Sequence, residues 1–96
     1  MDILVTYDVV TSDPTGQRRL ERVAKVCEGY GSRVQYSVFE CRLSAAKYVL
    51  LIADLRGVMD PRLDSINVYR FDGSVSNARL SLGQRVVHEP GEPWIL

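Results

Sequence analysis

The stretch MDILVTYD, residues 1–8, decides how this chain can fold. Read as a β-strand, it sends alternate side chains to opposite faces, one carrying Ile3, Val5 and Tyr7 and the other carrying Leu4, Thr6 and Asp8. Both faces are largely apolar, so we expect other parts of the protein to cover both. Asp8 then ends the strand on a face suited to burial, where a carboxylate is costly unless it is paired, hydrogen-bonded or bound to a metal.

Size and composition indicate one small globular domain, residues 1–96. The hydrophobic fraction of 46% and the charged fraction of 25% are ordinary for such a domain. A chain this short buries only about 60–70% of its unfolded surface, so a second copy that covers a sheet face would add stability. The 12 basic and 12 acidic residues cancel. Nucleic-acid binding by overall charge is therefore excluded, and only a local patch can support it.

Membrane-span, leader and cysteine features of the sequence indicate the cellular compartment. The sequence has no run of about 18 apolar residues that would span a membrane. It reads straight into a strand without a basic leader, so we expect no signal peptide and a cytoplasmic location. Cys27 and Cys41 are then expected to be buried thiols in a reducing compartment.

A helix is predicted after the first strand. Ser12 or Asp13 suits its N-cap and Pro14 its first turn, and it should run to about Tyr30. Gly29 and Gly31 are expected to stop the helix, with Gly31 favoured as the left-handed C-cap. One apolar face recurs at helical spacing, at Leu20, Val23, Ala24 and Cys27.

Basic residues recur on the other side of this helix. Arg18, Arg22 and Lys25, here called the basic ridge, fall at helical spacing, with Arg19 beside them and Arg33 just beyond. Two interpretations stay open from the pattern: an ordinary solvated helix face or a surface that contacts nucleic-acid phosphates.

Residues 33–43 form the next strand, but their alternation changes phase. A bulge or bend near Ser37 and Val38 would explain the change. A hairpin is the alternative, although the stretch has no Gly or Asn for its turn. Whether 33–43 is one bent strand or a hairpin is left open.

The second half of the chain predicts a helix and further strands. Residues 45–56 favour a helix capped by Ser44, although 48–52 alone would suit a buried strand. A strand follows at 65–71, and 73–77 is expected to be a loop. A short strand at 85–88 and a tail with apolar residues at its end complete the chain, and we expect 85–96 to dock on a neighbouring subunit.

This order predicts an α+β fold, a ferredoxin-like βαββαβ sandwich with an extra C-terminal strand. Its helices cover one sheet face only. The simplest cover for the other face is a second molecule, giving a homodimer through the sheet face. A two-fold axis there would bring two copies of Asp8 towards each other.

Several segments, in order along nearly the whole chain, resemble the CRISPR-associated Cas-two family. The first matches are VTYDV at 5–9, RRLERVAK at 18–25 and YGSRVQYSVFE at 30–40, and RVQYSVFE at 33–40 is the specific one. Later matches are DP at 60–61, DSINVY at 64–69, RVVH at 85–88 and PWIL at 93–96.

The resemblance implies a small ferredoxin-like homodimer. Members are described as metal-dependent endonucleases, using Mg²⁺ or another divalent cation, that act on single-stranded RNA or duplex DNA. They also work with the Cas-one integrase when new spacers are acquired in antiviral defence. No membrane is involved.

Residue roles follow from the same resemblance. The metal-binding aspartate falls on Asp8, the neighbouring tyrosine on Tyr7 and the strand-two phenylalanine on Phe39, which are the catalytic candidates. The strand-two arginine falls on Arg33. Loop length varies before the first helix, so its phosphate-contacting arginine is one of three alternatives, Arg18, Arg19 and Arg22.

Three functions are compatible with these features. The first is a Mg²⁺-dependent nuclease, in which two Asp8 carboxylates of a dimer share one ion. The second is a non-catalytic scaffold that binds duplex DNA along the basic ridge and Arg33 and holds the Cas-one integrase. The third, weaker one is a small-molecule regulatory module, against which the absence of a Gly-rich ligand loop counts modestly.

Overall fold

The structure is a computed structural model, and it describes residues 1–83. The elements in chain order are β1 (Asp2–Asp8), α1 (Pro14–Glu28), β2 (Gly31–Gln35), β3 (Val38–Arg42), α2 (Ala45–Val58), β4 (Ser65–Phe71) and α3 (Val75–Ala78). This confirms the expected βαββαβ order, with a short helix where a loop was expected. The predicted strand at 85–88 and the tail to 96 lie outside the described residues.

β1 is an inner strand of the antiparallel sheet, whose order is β2-β3-β1-β4. Thr6 pairs with Val38 of β3, and Asp8 pairs with Ser65 of β4. The end of β1 is therefore flanked by the start of each neighbouring strand. β2 and β4 are the sheet edges within the described chain.

The two faces of the sheet differ as the alternation of β1 predicts. Ile3, Val5 and Tyr7 are buried in the core, which includes Val23 of α1 and Leu51 of α2. The opposite face, here called the open face, carries Leu4, Thr6 and Asp8 of β1, Val38 of β3, and Asn67 and Tyr69 of β4.

The α3 segment lies against the end of the open face that is remote from Asp8. The Val75 N–H donates to the Asp2 carboxylate at 2.8 Å, and Arg79 forms an ion pair with the buried Glu40. The Asp8 end of the open face has no comparable cover from the described residues, since Asp8 itself is exposed.

Residues 33–43 form a hairpin, so the second of the two alternatives is correct. β2 and β3 pair antiparallel, with a register shift between Arg33 and Gln35. Tyr36 and Ser37 form the turn. The change of phase thus comes from a bulge and a turn together, made without glycine or any positive φ at a non-glycine residue of the described chain.

α1 begins as its sequence predicts but ends differently. The Asp13 carboxylate caps it by accepting from the Gly16 N–H at 2.6 Å. Its C-cap is Gly29 in a right-handed conformation, so the expectation of a left-handed cap at Gly31 is wrong. Gly31 instead begins β2, where an added Cβ would lie 2.2 Å from the Glu40 carbonyl oxygen. Close approach of β2 and β3 requires this glycine.

α2 is the predicted helix rather than a strand. Ser44 caps it by accepting from the Lys47 N–H at 3.2 Å. Leu51 and Leu55 are buried against the core, whereas Val49 and Leu50 are 64% and 52% exposed. The outer side of α2 is therefore apolar as well. None of the helices within residues 1–83 is long and apolar enough to cross a membrane.

A buried ion pair between Arg19 and Asp64, here called the Arg19–Asp64 clamp, holds the chain just beyond β1. Arg19 Nε donates to Asp64 Oδ2 at 2.8 Å, and the Asp64 side chain is fully buried. The N–H groups of Val10 and Asp60 donate to the same carboxylate at 3.2 and 2.9 Å. Arg19 Nη2 donates to the Val10 carbonyl at 3.2 Å. α1, the β1–α1 loop and the α2–β4 loop therefore meet at one carboxylate.

Gly16 lets α1 approach this loop closely. A Cβ at this position would lie 2.0 Å from the Val10 carbonyl oxygen and 2.9 Å from the Thr11 Cα. Val10 is thus held by the helix on one side and by Asp64 on the other. The backbone two residues after Asp8 has little freedom to move.

The same contacts determine the ionisation of Asp64. Burial alone would raise the pKa of the Asp64 carboxyl, but the hydrogen bonds from Arg19 and from the Asp60 and Val10 N–H groups outweigh burial and lower it. A lowered pKa in the folded state means that the charged carboxylate stabilises the fold above about pH 4. This stabilisation is lost as the pH falls through the lowered pKa.

The Asp64→Asn variant should unfold at a lower temperature, by about 10 °C, because it leaves a buried guanidinium without its counter-charge. Between pH 5 and 3, the melting temperature of the variant should fall less than that of the native protein, because the variant lacks the Asp64 carboxyl that titrates. Circular dichroism melts across this pH range measure both effects, with the exposed Asp72→Asn as the control. Equal melting temperatures for Asp64→Asn and the native protein would contradict the clamp.

Candidate functional site

Asp8 ends β1 as an exposed side chain on the open face. No residue within 1–83 hydrogen-bonds or pairs with its carboxylate. The burial cost expected from the sequence therefore does not arise in a single chain. An accessible carboxylate without a partner, on a rigidly held strand end, is free to bind a ligand.

A divalent cation fits this carboxylate only in part. No cluster of three or more potential metal-ligating side chains occurs among residues 1–83. Mg²⁺ commonly takes one or two protein carboxylates and completes its shell with waters and phosphate oxygens. One chain supplies one such carboxylate, Asp8, and two chains together would supply two.

The other two catalytic candidates, Tyr7 and Phe39, lie on the opposite face of the sheet from Asp8. Phe39 is fully buried and Tyr7 is 6% exposed. Their ring centroids are 6.2 Å apart with planes inclined by 22°. The Arg33 guanidinium lies 5.1 Å from the Phe39 centroid, and it also reaches Glu28 at 3.6 Å. The structure thus brings Tyr7, Phe39 and Arg33 together and separates them from Asp8.

Tyr7 links the end of β1 to the hairpin turn from the buried face of the sheet. Its hydroxyl donates to the Tyr36 carbonyl at 3.1 Å, and burial raises its pKa, so the phenol stays protonated at neutral pH. Phe39 packs beneath it, away from solvent. Direct catalytic roles for Tyr7 and Phe39 remain predictions, since neither ring reaches the surface where Asp8 lies.

The basic residues of α1 separate into two groups. Arg18, Arg22 and Lys25 are exposed along α1, so the basic ridge is accessible to a phosphate backbone. The Arg19 side chain is 13% exposed and forms an ion pair with Asp64. Of the three alternatives for a phosphate-contacting arginine, Arg18 and Arg22 are accessible and Arg19 serves the clamp.

Two residues near Asp8 were not singled out from the sequence. Asp64 belongs to the clamp, and its partner is 45 residues away, so no local pattern reveals it. Tyr36 falls within the strand expected at 33–43, yet it is 91% exposed at the hairpin turn. The change of strand phase beside it was the available signal, because a turn exposes the residue at its tip.

The cysteines take no part in this site. Cys27 and Cys41 are fully buried free thiols, as the sequence predicts. Burial raises the pKa of each to about 12, so neither is a thiolate nucleophile at neutral pH.

The chain was compared with known proteins. Residues 1–78 match the model of the family described as CRISPR associated protein Cas2, which is the Cas-two family expected from the sequence. A CRISPR-associated endoribonuclease Cas2 of Chlorobaculum tepidum is 55% identical over 69 residues, 72% of each chain. A CRISPR-associated endonuclease Cas2 of Halalkalibacterium halodurans is 37% identical over 95 residues, 99% of each chain.

A solved structure agrees with the fold. The crystal structure of Streptococcus pyogenes Cas2 superposes with a TM-score of 0.77 at 43% identity, covering 86% of this chain and all of that one. Sequence and fold therefore lead to the same conclusion: this chain belongs to the CRISPR-associated Cas2 family.

Proposed function

We propose that this protein is a Mg²⁺-dependent endonuclease that hydrolyses phosphodiester bonds in single-stranded RNA or duplex DNA during CRISPR-based antiviral defence. The observation that supports it most is the exposed, unpartnered carboxylate of Asp8 at a strand end held by the Arg19–Asp64 clamp. Relatives named as endoribonuclease and endonuclease support the same reaction class.

The complete site in this proposal belongs to a homodimer. The open face keeps Leu4, Thr6 and Val38 only half-buried and Tyr69 51% exposed. A second copy packed there by a two-fold axis would bury these side chains and place the same surface on both sides. Two Asp8 carboxylates would then approach each other, and residues 85–96 would dock on the partner chain.

The chemistry divides between the ion and the chain. A bound divalent cation supplies charge neutralisation at the phosphate and a water that is more readily deprotonated. The two Asp8 carboxylates would hold the ion, whose charge would offset their mutual repulsion. Arg18, Arg22 and Lys25 bind the phosphate backbone without reading sequence. The Arg19–Asp64 clamp keeps each Asp8 in place.

A second candidate is a non-catalytic scaffold that holds DNA and the Cas-one integrase for spacer acquisition. The apolar outer side of α2 favours it, since Val49 and Leu50 are exposed large side chains suited to a protein partner. The small donor set of the site is also compatible with binding alone. Both candidates use the same basic ridge.

Replacing Asp8 with asparagine should lower metal-dependent cleavage by at least about 100-fold, because a neutral amide is a much weaker ligand for the cation. The assay follows labelled RNA and duplex DNA with Mg²⁺ or with chelator. The control is Glu21→Gln, which removes another exposed carboxylate.

The outcomes separate the two candidates. Cleavage that persists in Asp8→Asn would exclude Asp8 from the reaction. A native protein that cuts neither substrate, while Asp8→Asn still supports spacer acquisition, would favour the scaffold.

Replacing Arg18 or Arg22 with alanine should weaken binding of any nucleic-acid sequence to a similar extent. Each lost phosphate contact should also reduce the slope of log K against log salt by about 0.7–0.9. Fluorescence anisotropy at several salt concentrations measures both, with the exposed α2 residue Arg56→Ala as the matched control. Equal slopes for Arg18→Ala, Arg22→Ala and Arg56→Ala would show that the basic ridge does not contact phosphates.

A further inference from the structure

We propose that the Ser65 hydroxyl is a second ligand, beside the Asp8 carboxylate, for the divalent cation of the dimeric site. Asp8 is the last residue of β1 and Ser65 is the first residue of β4. This inference rests on the proposed nuclease function and extends it to the set of residues that hold the ion.

The strand register places Ser65 directly beside Asp8. β1 and β4 pair antiparallel over their full lengths, and the partner of Asp8 in this register is Ser65. Directly opposed residues of antiparallel strands point to the same face of the sheet, with Cβ atoms about 4.5–5.5 Å apart. Both residues are exposed. One ion on the open face can therefore contact the hydroxyl and the carboxylate together.

The side chains of this pair have no other use among residues 1–83. Within that range neither the Ser65 hydroxyl nor the Asp8 carboxylate takes part in a hydrogen bond or an ion pair. An exposed serine at the start of a strand is ordinary by itself. The direct pairing with an exposed, unpartnered carboxylate distinguishes Ser65 from other exposed serines.

The Arg19–Asp64 clamp holds the backbone on both sides of the pair. Asp64 immediately precedes Ser65, and its buried carboxylate accepts from the Val10 N–H at 3.2 Å, two residues after Asp8. Arg19 holds the same carboxylate at 2.8 Å. Both strand ends that carry the proposed ligands are thus fixed before the ion arrives, which lowers the entropy lost on binding.

A hydroxyl supplies what a second carboxylate in each chain would not. Mg²⁺ prefers oxygen ligands, and a serine or threonine hydroxyl together with an aspartate holds Mg²⁺ in P-loop nucleotide hydrolases. Because the hydroxyl is neutral, it adds a ligand without adding to the repulsion between the two chains. Each chain then offers the ion two oxygens instead of one, and positions remain for water and phosphate oxygens.

The test measures the dissociation constant of Mn²⁺ for the full chain by electron paramagnetic resonance, without nucleic acid. We expect this constant to rise about tenfold in Ser65→Ala. Ser65→Thr keeps the hydroxyl and should bind Mn²⁺ as tightly as the native protein. The matched control is Ser81→Ala, which removes an exposed serine outside the β1–β4 pair and should leave the affinity unchanged.

Direct contact between residue 65 and the ion has a signature of its own. A thiol is a soft ligand, so Ser65→Cys should bind Cd²⁺ more tightly, relative to Mn²⁺, than the native protein does. An unchanged preference between the two ions in Ser65→Cys would contradict direct coordination.

Two further results would overturn the proposal. One is an equal Mn²⁺ dissociation constant for the native protein and Ser65→Ala. The other is a Ser65→Ala protein that becomes monomeric, since Ser65 would then act in the contact between copies.

The same titration separates this proposal from the nuclease function. A native protein that binds no Mn²⁺ would overturn the metal roles of Asp8 and Ser65 together. Ion binding requires no cleavage, so a native protein that binds Mn²⁺ through Ser65 without cutting RNA or DNA would support the ligand and reject only the nuclease function.

Discussion

The position of the candidate site depends on the buried carboxylate of Asp64. Both of its oxygens are occupied: Oδ2 accepts from Arg19 Nε and the Asp60 N–H, and Oδ1 accepts from the Val10 N–H. Such complete pairing is what makes a buried charge tolerable. Because Asp64 precedes β4 and Val10 follows β1, one ion pair fixes the loops on either side of the Asp8–Ser65 strand pair.

Strand alternation then places two adjacent residues, Tyr7 and Asp8, on opposite faces of the sheet. Tyr7 points into the core and ties the hairpin turn to the end of β1, while Asp8 points to the open face and stays exposed. Residues that the family resemblance groups together therefore contribute differently. Asp8 is accessible from the open face, whereas Tyr7 and Phe39 are buried on the other side of the sheet.

Much of the fold could be predicted from local pattern. The alternation of β1, an α1 N-cap at Ser12 or Asp13 and the burial of Cys27 follow from neighbours in sequence. The structure confirms them, with Asp13 as the cap. The hairpin turn at Tyr36 and Ser37 was ambiguous because it contains neither Gly nor Asn. The Arg19–Asp64 clamp was not predictable, since it joins residues 45 positions apart. Only the fold shows that Arg19, beside the basic ridge, is paired with a buried carboxylate.

Asp8 is half of the proposed site, which two chains complete, and counting bound ions tests this most directly. Mn²⁺, a close substitute for Mg²⁺ at oxygen ligands, can be titrated into the protein and followed by electron paramagnetic resonance. We expect one tightly bound Mn²⁺ for every two chains, and none in Asp8→Asn. One ion for every chain, or undiminished binding in Asp8→Asn, would contradict it.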